Sequence, residues 1–149
     1  MSATTRASSP EHAVQIAQMW IKRVADEFGT QDREFAYGVL RAWLQTVRDR
    51  LTVEAAAHFA AQLPDLLRGA FYAGWDPTAV PVKYNAEQFT VRFAGNAAIS
   101  PHDVPRSAST VTAAMMGLLP AEHVLKTLGE LPEGVRVLLT PAPADSGPP

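Results

Sequence analysis

An ungapped shift of 68 residues lays the second half of this chain over the first, and no other feature constrains the fold as tightly. Leu51, Glu54, Leu63, Pro64 and Arg68 fall on Leu119, Glu122, Leu131, Pro132 and Arg136. Ile21 and Ala25 fall on Phe89 and Phe93, while Trp43 and Val47 fall on Val111 and Met115. Apolar positions meet apolar positions with no insertion between them, so the spacing predicts a tandem repeat of one supersecondary unit.

The period inside each unit is helical. Val14, Ala17, Ile21, Val24, Ala25 and Phe28 recur at steps of three and four, which places them on one helix face. Gly29 then follows as a left-handed cap. A second helix is expected over about 33–50, with Phe35, Val39, Leu40, Trp43, Leu44 and Val47 inward and Leu51 just beyond. Thr52 fits an N-cap for a third, with Glu54 in its first turn. That helix is expected to run through Leu63 and to bury Val53, Ala56, Ala57 and Ala60. Pro64 stands where a fourth, short helix begins, because a missing N–H costs nothing there. The second copy is weaker: Gly117 and the Ser/Thr-rich SASTVT stretch are poor helix formers. Pro105 requires that copy's central helix to start near Asp103.

The expected fold is therefore all-α, two small antiparallel helical units forming one bundle-like protein. The first unit spans 11–75, a linker 76–86 and the second, degenerate unit 87–140. Residues 1–10, rich in Ser, Thr and Ala, and the Pro-rich 141–149 are expected to be disordered tails.

The first unit resembles a known bacterial family. Asp32-Arg33, Ala36-Tyr37, Leu40-Arg41-Ala42, Arg48 to Leu51, Gln62 to Pro64, Arg68-Gly69 and Tyr72 to Trp75 are similar to the family of domain of unknown function 2267. The resemblance covers about 12–77. In the second half only the Leu-Pro corner and the periodicity carry it. It implies an all-helical protein of two related units, and it implies no catalytic residues.

Charge and composition narrow the function. With 13 basic and 15 acidic side chains the net charge is −2, and neither half carries the positive excess of a nucleic-acid binder. The chain has no cysteine, hence no disulfide and no thiolate chemistry, which fits a reducing compartment. Residues 1–12 lack the apolar core of a secretory signal, and the longest apolar run, AAMMGLL at 113–119, is too short for a bilayer. A cytoplasmic protein without a membrane span is expected.

Chemistry-bearing patterns are sparse. His12, His58, His102 and His123 sit in no metal-ligand spacing, so each reads as solvated or locally capping, and no metal or organic cofactor is expected. His102-Asp103 could form an acid–base pair but reads more economically as a helix start. No nucleophile elbow, Walker loop or dinucleotide fingerprint occurs. Lys22–Asp26 and Arg23–Glu27 read as surface pairs at i,i+4. An enzyme is the least supported class.

Two features remain as a tentative interaction surface. Arg41 and Arg48 lie one heptad apart with no acidic residue three or four positions away. They could grip a carboxylate, a phosphate or an acidic helix, or each could tie to an acidic residue of another helix in the same domain, which is favoured here. Phe71, Tyr72 and Trp75 have no aromatic counterparts at the 68-residue step. Either they pack as a seam between the units, the favoured reading, or they expose Tyr72 and Trp75 as an anchor. The leading function is a non-enzymatic protein-interaction or regulatory module, binding an unidentified protein or itself. The alternative is a small-molecule or lipid binder, which a cavity of on the order of several hundred Å³ between the units would favour. A third is nucleic-acid binding through Arg33, Arg41, Arg48 and Arg50, against which the net charge argues.

Overall fold

The computed structural model describes residues 9–141, and the expected tails lie outside that range apart from Ser9, Pro10 and Pro141. Among the described residues eight α-helices follow one another: α1 (Pro10–Phe28), α2 (Arg33–Arg50), α3 (Val53–Ala60), α4 (Asp65–Tyr72), α5 (Ala86–Ala97), α6 (Val104–Leu118), α7 (Ala121–Gly129) and α8 (Glu133–Leu139). A short 3-10 turn, Pro101–Asp103, leads into α6. There is no strand among the described residues, and no described helix is long and apolar enough to cross a membrane.

Local signals start and stop the helices. Ser9 accepts from the His12 N–H and Pro10 takes the first turn, so α1 begins inside the segment expected to be a tail. Gly29 ends it at φ 69°, the left-handed conformation that glycine adopts without a side-chain clash. Asp32 accepts from Phe35 N–H at 3.0 Å, and Thr52 from Ala55 N–H at 3.1 Å. Asn85 and Gln88 close a reciprocal capping box at the start of α5. Ser100 accepts from the His102 N–H, so SPHDVP is a helix start, and Pro105 sits in the first turn of α6. At the first Leu-Pro corner Arg68 donates to the carbonyls of Ala60 and Leu63, tying the end of α3 to α4.

Boundaries recur at the 68-residue step: Arg50 and Leu118 end α2 and α6, Val53 and Ala121 open α3 and α7, and Asp65 and Glu133 open α4 and α8. The two halves nevertheless share one continuous apolar core. α2 is its axis. It packs most extensively on α5, and also on α1, α4 and α6, while α1 lies along α6. Everything from Ala42 to Arg48 is consequently buried, polar Gln45 and Thr46 included. The fully buried Trp43 indole donates from Nε1 to Thr112 Oγ1 at 2.8 Å, bonding α2 to α6.

The phase of α3 differs from expectation. Val53 is 45% exposed and Ala57 is exposed, whereas Phe59 joins Ala56 and Ala60 in the core, against Trp43 and Phe71. α3 also stops at Ala60, before the turn that carries Leu63. Eight residues hold barely two turns, too few for periodicity to set the angle of burial. Val14 on α1 is likewise exposed, and Trp20 takes the buried position instead.

Candidate functional site

Concave regions of the surface that carry charged groups include one lined by Lys83, Glu87 and Arg92, and two that lie between helices. The first of these two lies where α2 and α5 run side by side beside the end of α4. Arg41, Gln45, Thr46, Arg48 and Asp49 of α2, Ala73 and Gly74 of the following turn, and Arg92 and Asn96 of α5 line an open cleft of about 400 Å³.

Arg48 is not on the surface. Its fractional exposure is 5%, although it lies one heptad from Arg41, which is exposed. Its Nε donates to Asp49 Oδ1 at 2.8 Å, and its Nη1 to the carbonyls of Phe71 at 2.8 Å and Ala73 at 2.7 Å. These carbonyls lie in the last turn of α4 and just past it, where the helix has no partner of its own to offer. The favoured expectation, a tie to an acidic residue of another helix, is corrected here: Arg48 is tied to Asp49 of its own helix and to two carbonyls at the end of α4. Arg41, one heptad back and turned outward, is exposed and makes no ion pair with a described residue.

Asp49 joins three elements at this point, and sequence reasoning missed it. Its carboxylate meets Arg48 and lies 4.0 Å from Arg92 Nη1 of α5. Its backbone carbonyl accepts from Val82 N–H at 2.7 Å. Tyr84, two residues on, is buried and donates its hydroxyl to the Thr46 carbonyl, while Arg92 lies 5.0 Å from the centre of its ring. Residues between α4 and α5, expected as an extended linker, are therefore fastened to the end of α2. Burial, and then the Asp49 charge, push the Tyr84 phenol well above its ordinary range, against the opposing pull of Arg92, Arg50 and Arg48. The signal for this group in the sequence was an aromatic residue in a linker rich in Pro and Val.

Tyr72 and Trp75 are partly buried, pack against the core and meet at a 47° tilt with ring centres 5.0 Å apart. Gly74 between them has φ 77°, which swings Trp75 back over Tyr72. Trp75 Nε1 is sealed from solvent without a described partner.

A second concavity, about 450 Å³, opens between α3 and α7. Glu54, His58 and Gln62 line one side, and His123, Lys126 and Glu130 the other, with Phe59 reaching it from the core. His123 Nδ1 is buried and makes no hydrogen bond to a described residue. No group of three or more His, Cys, Asp or Glu is placed to hold a metal ion among the described residues. His102 Nδ1 and Asp103 Oδ1 are 3.7 Å apart and both side chains are mostly exposed, outside either concavity.

The described helices, packed on one core, make an all-α protein with an open cleft lined by arginines. The chain belongs to the family of the uncharacterized conserved protein (DUF2267), whose sequence model matches residues 17–138, most of its length. The match runs through the second half as well as the first, further than the motifs of 12–77 alone reach. No curated protein matches the sequence.

Proposed function

We propose that this chain is a non-enzymatic interaction module, built from two related four-helix units fused on one core, which binds another protein or a second copy of itself. The observation that carries this reading is Arg41. An exposed guanidinium without a described carboxylate partner stands at the edge of a cleft whose floor, Arg48 and Asp49, is held rigid by hydrogen bonds to α4. An arginine so placed has no internal partner to give up when it meets an acidic group of a partner. The fused-unit reading is supported by the recurrence of helix boundaries at the 68-residue step. It predicts that 12–73 and 87–139 superpose with Leu63-Pro64 and Leu131-Pro132 at equivalent corners.

The test is charge reversal. Wild type and Arg41→Glu are compared by affinity capture from the native host with quantitative mass spectrometry, and by sedimentation across concentration. One captured protein, or the self-associated species, should be lost in Arg41→Glu while the variant melts as wild type does. Identical partners and identical sedimentation in both forms would refute the reading.

A second reading, a binder of a small polar molecule between the units, is favoured by the concavity between α3 and α7, since these helices belong one to each half. Its polar lining argues against a lipid. A thermal-shift screen of polar metabolites, repeated on His58→Ala with His123→Ala, would support it only if a hit disappears in the double variant.

A further inference from the structure

We propose that the cleft between α2 and α5 is a receptor for a dianionic phosphate group. This rests on the same face as the interaction reading and assigns it a ligand chemistry. Three guanidiniums, Arg41, Arg48 and Arg92, line the cleft against a single carboxylate, Asp49. The cleft therefore holds two net positive charges in a chain whose net charge is −2. Two positive charges match a phosphate monoester at neutral pH, which carries nearly two negative ones, better than they match a single carboxylate.

The donors are of three kinds. Arg48 is almost wholly buried and fixed through Nε and Nη1, and its Nη2 makes no hydrogen bond to a described residue. A preorganised guanidinium of this sort loses little entropy on meeting an anion. Arg41 on α2 is exposed, and Arg92 on α5 is half exposed, held over the Tyr84 ring at 5.0 Å with only a 4.0 Å approach to Asp49. Asn96 lies one turn beyond Arg92 on α5 and adds an exposed amide. Asp49 is the group that opposes an anion, and its Oδ1 is already taken by Arg48 Nε. A phosphate offers three acceptor oxygens, enough to meet Arg41, Arg92 and the free nitrogen of Arg48 together. The source is either a phosphorylated side chain of a partner or a free phosphate, and the dianion is common to both.

Inorganic phosphate, N-acetyl-phosphoserine amide and N-acetyl-glutamate amide are titrated at constant ionic strength into full-length protein, with shifts of the arginine and asparagine side-chain resonances followed by NMR. Both phosphates should saturate with shifts at Arg41, Arg92 and Asn96. The glutamate probe should bind at least about tenfold more weakly, since it brings half the charge. Arg41→Gln and Arg92→Gln should each weaken phosphate binding about tenfold or more, whereas Arg106→Gln, outside the cleft, should not. Tighter binding of the phosphoserine probe assigns the group to a protein side chain, and tighter binding of inorganic phosphate assigns it to the free ion. Equal binding of glutamate and phosphate, or undiminished binding in the Arg41→Gln, Arg92→Gln double variant, overturns the proposal. A partner that Arg41→Glu loses but phosphate fails to displace overturns the phosphate chemistry alone and leaves the interaction reading standing. Phosphate binding that obeys these rules with no partner captured does the reverse.

Discussion

Replacing Thr112 by Val removes one hydroxyl from a place that water does not reach. Trp43 and Thr112 are both fully buried, and the indole N–H has Thr112 Oγ1 as its partner at 2.8 Å. The hydroxyl also bonds the Ala108 carbonyl at 3.1 Å, but that carbonyl keeps its intrahelical bond in the variant. The main loss is therefore one unsatisfied buried donor, about 1–3 kcal/mol. Burying a methyl in place of the hydroxyl returns about 0.8 kcal/mol, and valine and threonine differ little in helix propensity. The net destabilisation should be about 0.2–2 kcal/mol, at most about 8 °C in melting temperature for a chain of this size. Urea and thermal denaturation followed by circular dichroism would measure it, with an unchanged urea slope as the sign that the folded state is intact. The decisive arm repeats the substitution in Trp43→Phe, where no donor remains and Thr112→Val should cost nothing. Equal losses in the two backgrounds would refute the reasoning, because the bond would then contribute nothing separable from packing.

Other perturbations follow from the same structure. Arg48→Met strands Asp49 and the Phe71 and Ala73 carbonyls and should cost about 3–5 kcal/mol, while Arg41→Gln should change stability by less than about 0.5 kcal/mol; chemical denaturation of the two variants checks the contrast. The Tyr84 phenol titrates above its ordinary value of 10.0 in the folded chain, so the unfolded chain loses that proton first as pH rises. Stability contributed by neutral Tyr84 is thus complete below pH 10 and lost progressively above it; Tyr84→Phe should show a shallower alkaline decline, read from urea midpoints between neutral and alkaline pH. Gly117→Ala places a methyl 2.5 Å from Arg23 Nη2, the mobile end of a half-exposed side chain that can swing aside. Helix propensity should then prevail, raising stability by up to about 1 kcal/mol, and a lowered melting temperature would show that the Arg23 contact over α6 outweighs it.

Local physics was legible in the sequence. Gly29, Thr52 and Pro64 mark helix ends because capping involves groups within about four residues of one another, and the structure puts each at such an end. The inward face of α2 was legible for a similar reason: 18 residues repeat a 3.6-residue period often enough to fix its direction. The 68-residue step located the Leu-Pro corners without any knowledge of how the halves meet. What only tertiary structure decided was which side chains lie between helices distant in the chain. An internal partner was expected for Arg48, but its carbonyl partners at Phe71 and Ala73 are 23 and 25 residues on, beyond any periodicity. Tyr84 reaches Thr46 across 38 residues, and Arg92 comes to Asp49 only because α5 packs along α2. A helical period tells which face is apolar, but the neighbour that covers it is selected by the packing of the whole core. That packing buried one of two arginines seven residues apart and left the other in water.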